Sequence, residues 1–317
     1  MTEHAARRRP EDIALLTLLA KLKQSGYRFV TPTPASHARV VRRADRDVAR
    51  SLRDILGWSL PFERSLVDPA ILALLDEAGA TEIVDGGLLR SRLRVSSLRD
   101  DLFLHSAYPT DAEDAVFFGP DSYRFADLIR AELGQRPVHD GAHIVDIGTG
   151  AGVGLVAAAR ACPGARLTMT DINPKALRLA ELNMTSASLR ARSVLGADLA
   201  GIADPIDVVL ANPPYIVDAA GRDYRDGGAM HGGSVALDMA RAAVSRLALG
   251  GRLILYTGSA IVDGEDRLAE ALAALGREGG CTLRYREIDP DIFGEELDQP
   301  AYADVERIAV VAAIFQR

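Results

Sequence analysis

Asn212-Pro213-Pro214-Tyr215 directly follows the apolar run Asp207-Val208-Val209-Leu210-Ala211. That run reads as a buried strand, and two prolines must end it, because proline has no N–H for a ladder and fixes its own φ. Asn212 and the Pro213 carbonyl are therefore expected to be rigid at the carboxyl edge of a sheet, where α/β proteins bind ligands. The Asn212 amide oxygen and a backbone C=O form a pair of acceptors that can grip both hydrogens of a planar –NH2 group. Tyr215 can stack on the flat system carrying that nitrogen. The plain alternative is a strand-to-loop turn without chemistry, and the tetrapeptide alone does not separate the two.

A second constellation lies upstream. His143–Ile147 is short, apolar and β-branched; it ends in Gly148-Thr149-Gly150-Ala151-Gly152-Val153-Gly154, and an Ala-rich helical stretch follows from Leu155 to Ala161. Strand, glycine turn and helix together make a ligand-binding context, because glycines let backbone approach a ligand and a helix start offers free N–H groups. The next strand, Arg166–Thr170, ends at Asp171-Ile172-Asn173-Pro174. An acid there, about 20 residues past the glycines, is placed to hold a ribose diol. Pro174 opens a helix to Asn183. A third strand is expected over 191–195, followed by Gly196-Ala197-Asp198-Leu199. Asp146, Asp171, Asp198 and Asn212 thus share one register, each ending or following a strand.

These motifs resemble those of the class I, S-adenosylmethionine-dependent methyltransferases, and the tetrapeptide resembles the acceptor motif of their amino-group N-methyltransferases. The spacing of Asp146, Gly148, Gly150 and Gly152 is similar to the family's D-x-G-x-G-x-G rather than to the dinucleotide G-x-G-x-x-G. The resemblance implies S-adenosylmethionine as cofactor. It would be held by Asp146, Gly148, Thr149, Gly150 and Gly152, by Asp171 and Ile172, and by Asp198 and Leu199, with Asp198 accepting from the adenine amino group. Asn212, Pro213, Pro214 and Tyr215 would be catalytic. Phe117-Phe118-Gly119-Pro120-Asp121-Ser122-Tyr123-Arg124-Phe125 resembles the P-x-D-[ST]-[YF] stretch of the glutamine N-methyltransferases of translation release factors. There the segment packs over the methionine part of the cofactor, which points to Pro120, Asp121 and Tyr123. Asp121 could equally cap a helix running through Ile129.

The reaction implied is in-line transfer of a sulfonium methyl to an amide or exocyclic amine nitrogen. Such nitrogens are poor nucleophiles because their lone pair is delocalised. Gripping both N–H bonds favours a more tetrahedral nitrogen, and rate then comes from orientation and from dipoles aimed at developing charge. No strong base is needed, and no Ser/His/Asp constellation or metal-spaced His/Cys cluster stands out. The Gly-rich loop 223–234 before a helix expected over Val235–Leu249 reads as a lid or clamp, with Arg225 and His231 as residues that could touch substrate.

The chain has 317 residues, a 48% apolar share and net charge −7. That suits two domains, or one large α/β domain with an extension. A run of 18 apolar residues is missing, so no membrane span is expected. Met1–Pro10 lacks an apolar signal region, and two scattered cysteines, Cys162 and Cys281, make no disulfide framework; a reducing cytoplasm is the default. Residues 1–53 carry 12 Lys/Arg against 5 Asp/Glu on an otherwise acidic body. Such a basic segment can face nucleic acid, or be a solvated helix face on which Arg42, Arg43, Arg46 and Arg50 alternate with Asp45 and Asp47.

Pro10 opens a helix to Ser25, closed by Gly26, with Ile13, Leu16, Leu19, Ala20 and Lys23 near helical spacing. A second helical region is expected over 35–56, and a third from Pro69 to Ala78 behind the Asp68 cap. Leu89–Val95 and Leu102–His105 read as a β-hairpin, with Trp58 and Phe62 as core. From about Ala126 the α-β alternation marks a doubly wound parallel sheet, with later strands at 252–256, 283–288 and 307–315. The resemblance implies a mostly parallel, seven-stranded, Rossmann-like α/β sheet ending in an antiparallel hairpin. Residues 1–108 are read as a smaller, mainly helical substrate-recognition domain and 109–317 as the methyltransferase domain. The favoured acceptor is a protein glutamine of the translation machinery. An adenine or guanine amine in RNA or DNA, a small-molecule amine, and a non-catalytic cofactor-binding scaffold are the alternatives.

Overall fold

The computed structural model describes residues 8–197, 199–202, 205–218, 222 and 224–317. The chain opens with α1 (Pro10–Gln24), α2 (Pro34–Val41), α3 (Leu52–Leu56) and α4 (Pro69–Glu77). Two hairpins follow: β1 (Thr81–Ile83) with β2 (Leu89–Ser91), and β3 (Leu93–Leu98) with β4 (Asp101–Ser106). The α/β part then runs α5 (Pro120–Gln135), β5 (His143–Ile147), α6 (Val153–Ala161), β6 (Arg166–Asp171), α7 (Pro174–Ser186), β7 (Arg192–Leu195) and β8 (Ile206–Ala211). It closes with α8 (Ser234–Arg246), β9 (Leu247–Val262), β10 (Glu265–Asp266), α9 (Arg267–Glu278), β11 (Thr282–Asp289) and β12 (Arg307–Gln316).

One sheet organises the second part, in the order β11-β12-β9-β8-β5-β6-β7, with the two-residue β10 pairing only with the end of β9. The path from β7 to β9 is parallel, while β12 and β11 are antiparallel. Strand order reverses between β5 and β8, and a crevice opens there at the carboxyl ends. One apolar cluster joins α5, α6 and α7 to α1, α3 and both hairpins. A second cluster packs α8 and α9 on the opposite face. Asn183 of α7 stitches the parts together: its Oδ1 accepts from Leu104 N (2.8 Å), and its Nδ2 donates to Leu104 O and to Ala151 O in the glycine turn.

Several local expectations give way to packing. The buried stripe of α1 is Ala14, Leu15, Leu18, Leu19 and Leu22, a leucine-rich face, and Ile13 is half exposed. The region 35–56 is two helices, because residues 42–50 carry alternating charge without an apolar stripe, and Ser51 caps α3 by accepting from Asp54 N. Leu89–Val95 is divided between the two hairpins, because Leu89–Ser91 pairs with an additional strand, Thr81–Ile83. α8 ends at Arg246, and β9 extends far beyond 252–256 because β8 and β12 pair with it on either side. Asp121 is not a helix cap: α5 begins on Gly119, whose N–H donates to Ser122 Oγ.

Candidate active site

β5 and β8 are neighbours in register, with Ile147 opposite Ala211, so the glycine turn and Asn212 emerge side by side from the sheet edge. Gly148 and Gly150 both have left-handed φ, +64° and +55°. The turn is clamped by two acids. Asp146 Oδ2 accepts from Thr149 Oγ1 (2.8 Å), and a Cβ at Gly154 would stand 3.0 Å from that carboxylate, so glycine lets α6 pass over it. Asp171, at the end of β6, accepts from Gly150 N and from Asn173 N, each at 2.9 Å. Burial pushes the Asp146 carboxyl up to about 7; the Thr149 hydroxyl pulls it down and the charge of Asp171 pushes it up again.

Asn212 and Pro213 line the same crevice. Among the described residues neither the Asn212 side chain nor the Pro213 carbonyl has a hydrogen-bond partner. Tyr215 is only 8% exposed. Its ring lies on Gly258, where a Cβ would come within 2.3 Å of Cδ2, and it packs 6.0 Å from the Phe293 ring. Its phenol faces Asp121; burial first, then the charge of Asp121 and the neighbouring Tyr256, push its ionisation well up. Tyr256, from the same face of β9 as Gly258, donates its hydroxyl to Asp121 Oδ1 at 2.7 Å.

The resulting cavity holds about 640 Å³ and runs from the Asp171 end of β6 to the tetrapeptide. It contains Asp121, Asp146, Gly148, Thr149, Gly150, Asp171, Ile172, Asn212, Pro213, Pro214 and Tyr215. Four expected residues lie elsewhere. Pro120 is the first residue of α5. Tyr123 turns toward the N-terminal part, its hydroxyl accepting from Thr31 N and its ring set edge-on to Phe118. Gly152 serves packing, with Ala180 Cβ 3.2 Å from where its own would be. Leu199 is buried in the core cluster beneath α8. Asp198 lies outside the described residues. Part of the Gly-rich loop backs the tetrapeptide, with Gly227 and Gly232 pressed against Tyr215 backbone and Ile216 bridging Asp226, while Tyr224, Arg225 and Asp226 line the cavity. Arg225 reaches the cavity but is tied to Glu296 and Asp218. His231 pairs with Asp304 at 3.0 Å and borders a separate cavity.

Phe117 and Tyr224 lie in segments that the sequence singles out, and the cavity wall also takes in Phe293 and Pro34. These four line its mouth. Phe117 and Tyr224 stack at 6.1 Å with rings 12° from parallel, and Tyr224 donates to Thr110 O (2.6 Å). These residues come from four distant segments, so only the fold sets them side by side.

Residues 127–274 match the family model described as methyltransferase small domain. The release factor glutamine methyltransferase of Deinococcus radiodurans is 33% identical over 159 residues, covering 48% of this chain and 55% of that protein. The enzyme of the same name from Bordetella pertussis is 37% identical over 163 residues, covering 48% and 58%; that from Rhodopirellula baltica is 31% identical over 187 residues, covering 54% and 59%. The chain thus spans somewhat over half the length of these relatives. Among solved structures, the 16S rRNA N2 G1207 methyltransferase of T. thermophilus, in complex with AdoMet and guanosine, is 16% identical with a TM-score of 0.46, covering 80% of this chain and 63% of that one. The sheet order and its antiparallel edge are those of the class I, Rossmann-like methyltransferase fold.

Proposed function

We propose that this chain is an S-adenosylmethionine-dependent N-methyltransferase acting on a planar amide or amino nitrogen of a macromolecule, with a protein glutamine of the translation machinery as favoured acceptor. One observation carries the reading: two unengaged acceptors, on Asn212 and Pro213, stand beside a glycine turn within a single cavity. The residues suit the cofactor. The cavity is of ligand-site size, the left-handed turn lets backbone approach, and Asp171 ends β6 at the cavity wall, where an acid would hold a ribose diol. Ile172, half exposed, offers an apolar face to the nucleobase, and Asp198 is assigned to the adenine amine.

S-adenosylmethionine supplies, when bound, an electrophilic methyl on a sulfonium. Asn212 Oδ1 and the Pro213 carbonyl accept the two hydrogens of the acceptor nitrogen and aim its lone pair. The proline pair fixes that geometry without a mobile side chain. Tyr215, braced by Gly258 and Phe293, forms the wall that sets the acceptor's plane. The nitrogen loses its proton after it has become cationic, so orientation supplies most of the rate.

Similarity to the release factor enzymes supports glutamine, as does a lining that among the described residues sets Asp121, Asp146, Asp171, Asp226 and Asp238 against Arg225, which suits a neutral side chain better than a phosphodiester. Residues 1–108 are then the acceptor-recognition part. A nucleobase acceptor is the second reading. It is favoured by the aromatic mouth and by exposed Arg39, Arg42, Arg43, Arg50 and Arg53, which have no ion-pair partner among the described residues, on and after α2, whose first residue, Pro34, is at that mouth. Incubation with methyl-labelled S-adenosylmethionine, a recombinant release factor and total RNA, followed by separate protease and RNase digestion, tests both. Label in the release factor is the expected result; label in RNA transfers the assignment to a nucleobase, and label in neither refutes methyl transfer to these acceptors.

A further inference from the structure

Among the described residues five carboxylates line the cavity, and four have other engagements. Asp146 lies beneath the glycine turn, and Asp171 is bound to two backbone N–H groups at the β6 end. Asp226 accepts from Gly228 N, and Asp238 pairs with Arg241 at the surface. Asp121 differs. It is 6% exposed and oriented by Tyr256, which donates at 2.7 Å, and by the facing Tyr215 phenol. Arg124 stands 3.5 Å away but binds Asp289 more closely, at 2.9 Å. One guanidinium is thus shared by two carboxylates, and a net negative charge remains at the cavity wall.

The place of that charge along the sheet matters. Asp171 ends β6, whereas Asp121 is held by a β9 residue and by the residue group following β8. Neighbouring strands are about 4.8 Å apart. Asp121 therefore sits two to three strands from the ribose end, on the order of 10–14 Å, at the end of the cavity where Asn212 awaits the acceptor.

We propose that the Asp121 carboxylate is the counter-charge of the cofactor's sulfonium, so that the cavity prefers charged S-adenosylmethionine over the neutral thioether S-adenosylhomocysteine left after transfer. The inference rests on the cofactor assignment above and deepens it, giving the site a means to release its product. Titration calorimetry with each of the two ligands tests it without any acceptor. Asp121→Asn, which keeps the shape and an acceptor for Tyr256, should weaken S-adenosylmethionine about ten-fold, as expected for one partly screened charge pair, and S-adenosylhomocysteine by less than about three-fold. Asp121→Glu should restore the preference. Arg124→Leu, which removes the competing cation, should shift it further toward S-adenosylmethionine and keeps the inference testable should Asp121→Asn misfold. Parallel losses for both ligands, or an unchanged ratio, would overturn the counter-charge. Failure of the wild-type chain to bind either ligand would overturn the proposed function and this inference with it.

Discussion

Gly258→Ala puts one methyl group under the ring that the proposed mechanism depends on. The added Cβ would lie 2.3 Å from Tyr215 Cδ2, 2.9 Å from Cε2 and 3.0 Å from Cγ. Ordinary contact begins near 3.4 Å, so the ring must move by about 1 Å, the scale of misplacement that costs roughly 10²-fold in rate. β9 is held at this point by β12, with Gly258 itself opposite Val310, while its pairing with β8 ends at Leu255; the side chain is freer to move than this paired backbone. The backbone φ of Gly258 is not left-handed, so alanine is strained only by space. Overpacking should cost about 1–3 kcal/mol of stability, readable as a lowered melting temperature. Turnover with labelled cofactor should fall about 10²-fold, while calorimetric affinity for S-adenosylmethionine stays within a few-fold, because the cofactor end is two strands away. In a Tyr215→Ala background the same substitution should cost almost nothing more, since its partner is gone. Full turnover by Gly258→Ala, or additive losses in the double variant, would refute the role given to the Tyr215 wall.

Three further outcomes follow from the same geometry. Asn212→Ala should raise the transfer barrier by about 2 kcal/mol or more with cofactor affinity little changed; single-turnover rates beside calorimetry separate the two effects, and wild-type turnover would defeat the assignment. Asp171→Ala removes the carboxylate that accepts from two backbone N–H groups, along with the proposed diol ligand, so cofactor affinity should drop at least about ten-fold; unchanged affinity would count against the ribose contact. Asp146, with a folded value of about 7 above an unfolded value near about 3.9, favours folding while protonated. That contribution is complete below about pH 4 and disappears as pH rises through 7. Asp146→Asn should therefore gain stability relative to wild type across that window, by at most about 4 kcal/mol at pH 8; urea unfolding curves that stay parallel from pH 4 to 8 would show that the acid is not buried as described.

Much of the molecule is legible in its sequence. The tetrapeptide after β8, the glycine turn after β5 and the acid ending β6 are local features in which residue type and strand-end position coincide, and the fold brings all three into one crevice. Proline and glycine made them readable, because each constrains its own φ whatever surrounds it. Where the reading depended on side-chain direction, it was weaker. Pro120-Asp121-Ser122-Tyr123 is one continuous motif, yet Asp121 and Ser122 reach the cavity while Tyr123 points to Thr31. A helix sends successive side chains about 100° apart, and only the packed partner decides which one faces the ligand.

The amino-acid sequence alone determined which polar groups stand at the strand ends and the alternation that winds the sheet. Tertiary structure alone decided the aromatic mouth assembled from Pro34, Phe117, Tyr224 and Phe293, the Gly258 floor beneath Tyr215, and the Asp121–Tyr256 bond joining residues 135 positions apart. Local rules act through a residue's own torsions and its near neighbours. Contacts between distant segments come instead from how the apolar faces of the sheet and helices settle against one another, and no window of sequence contains that information.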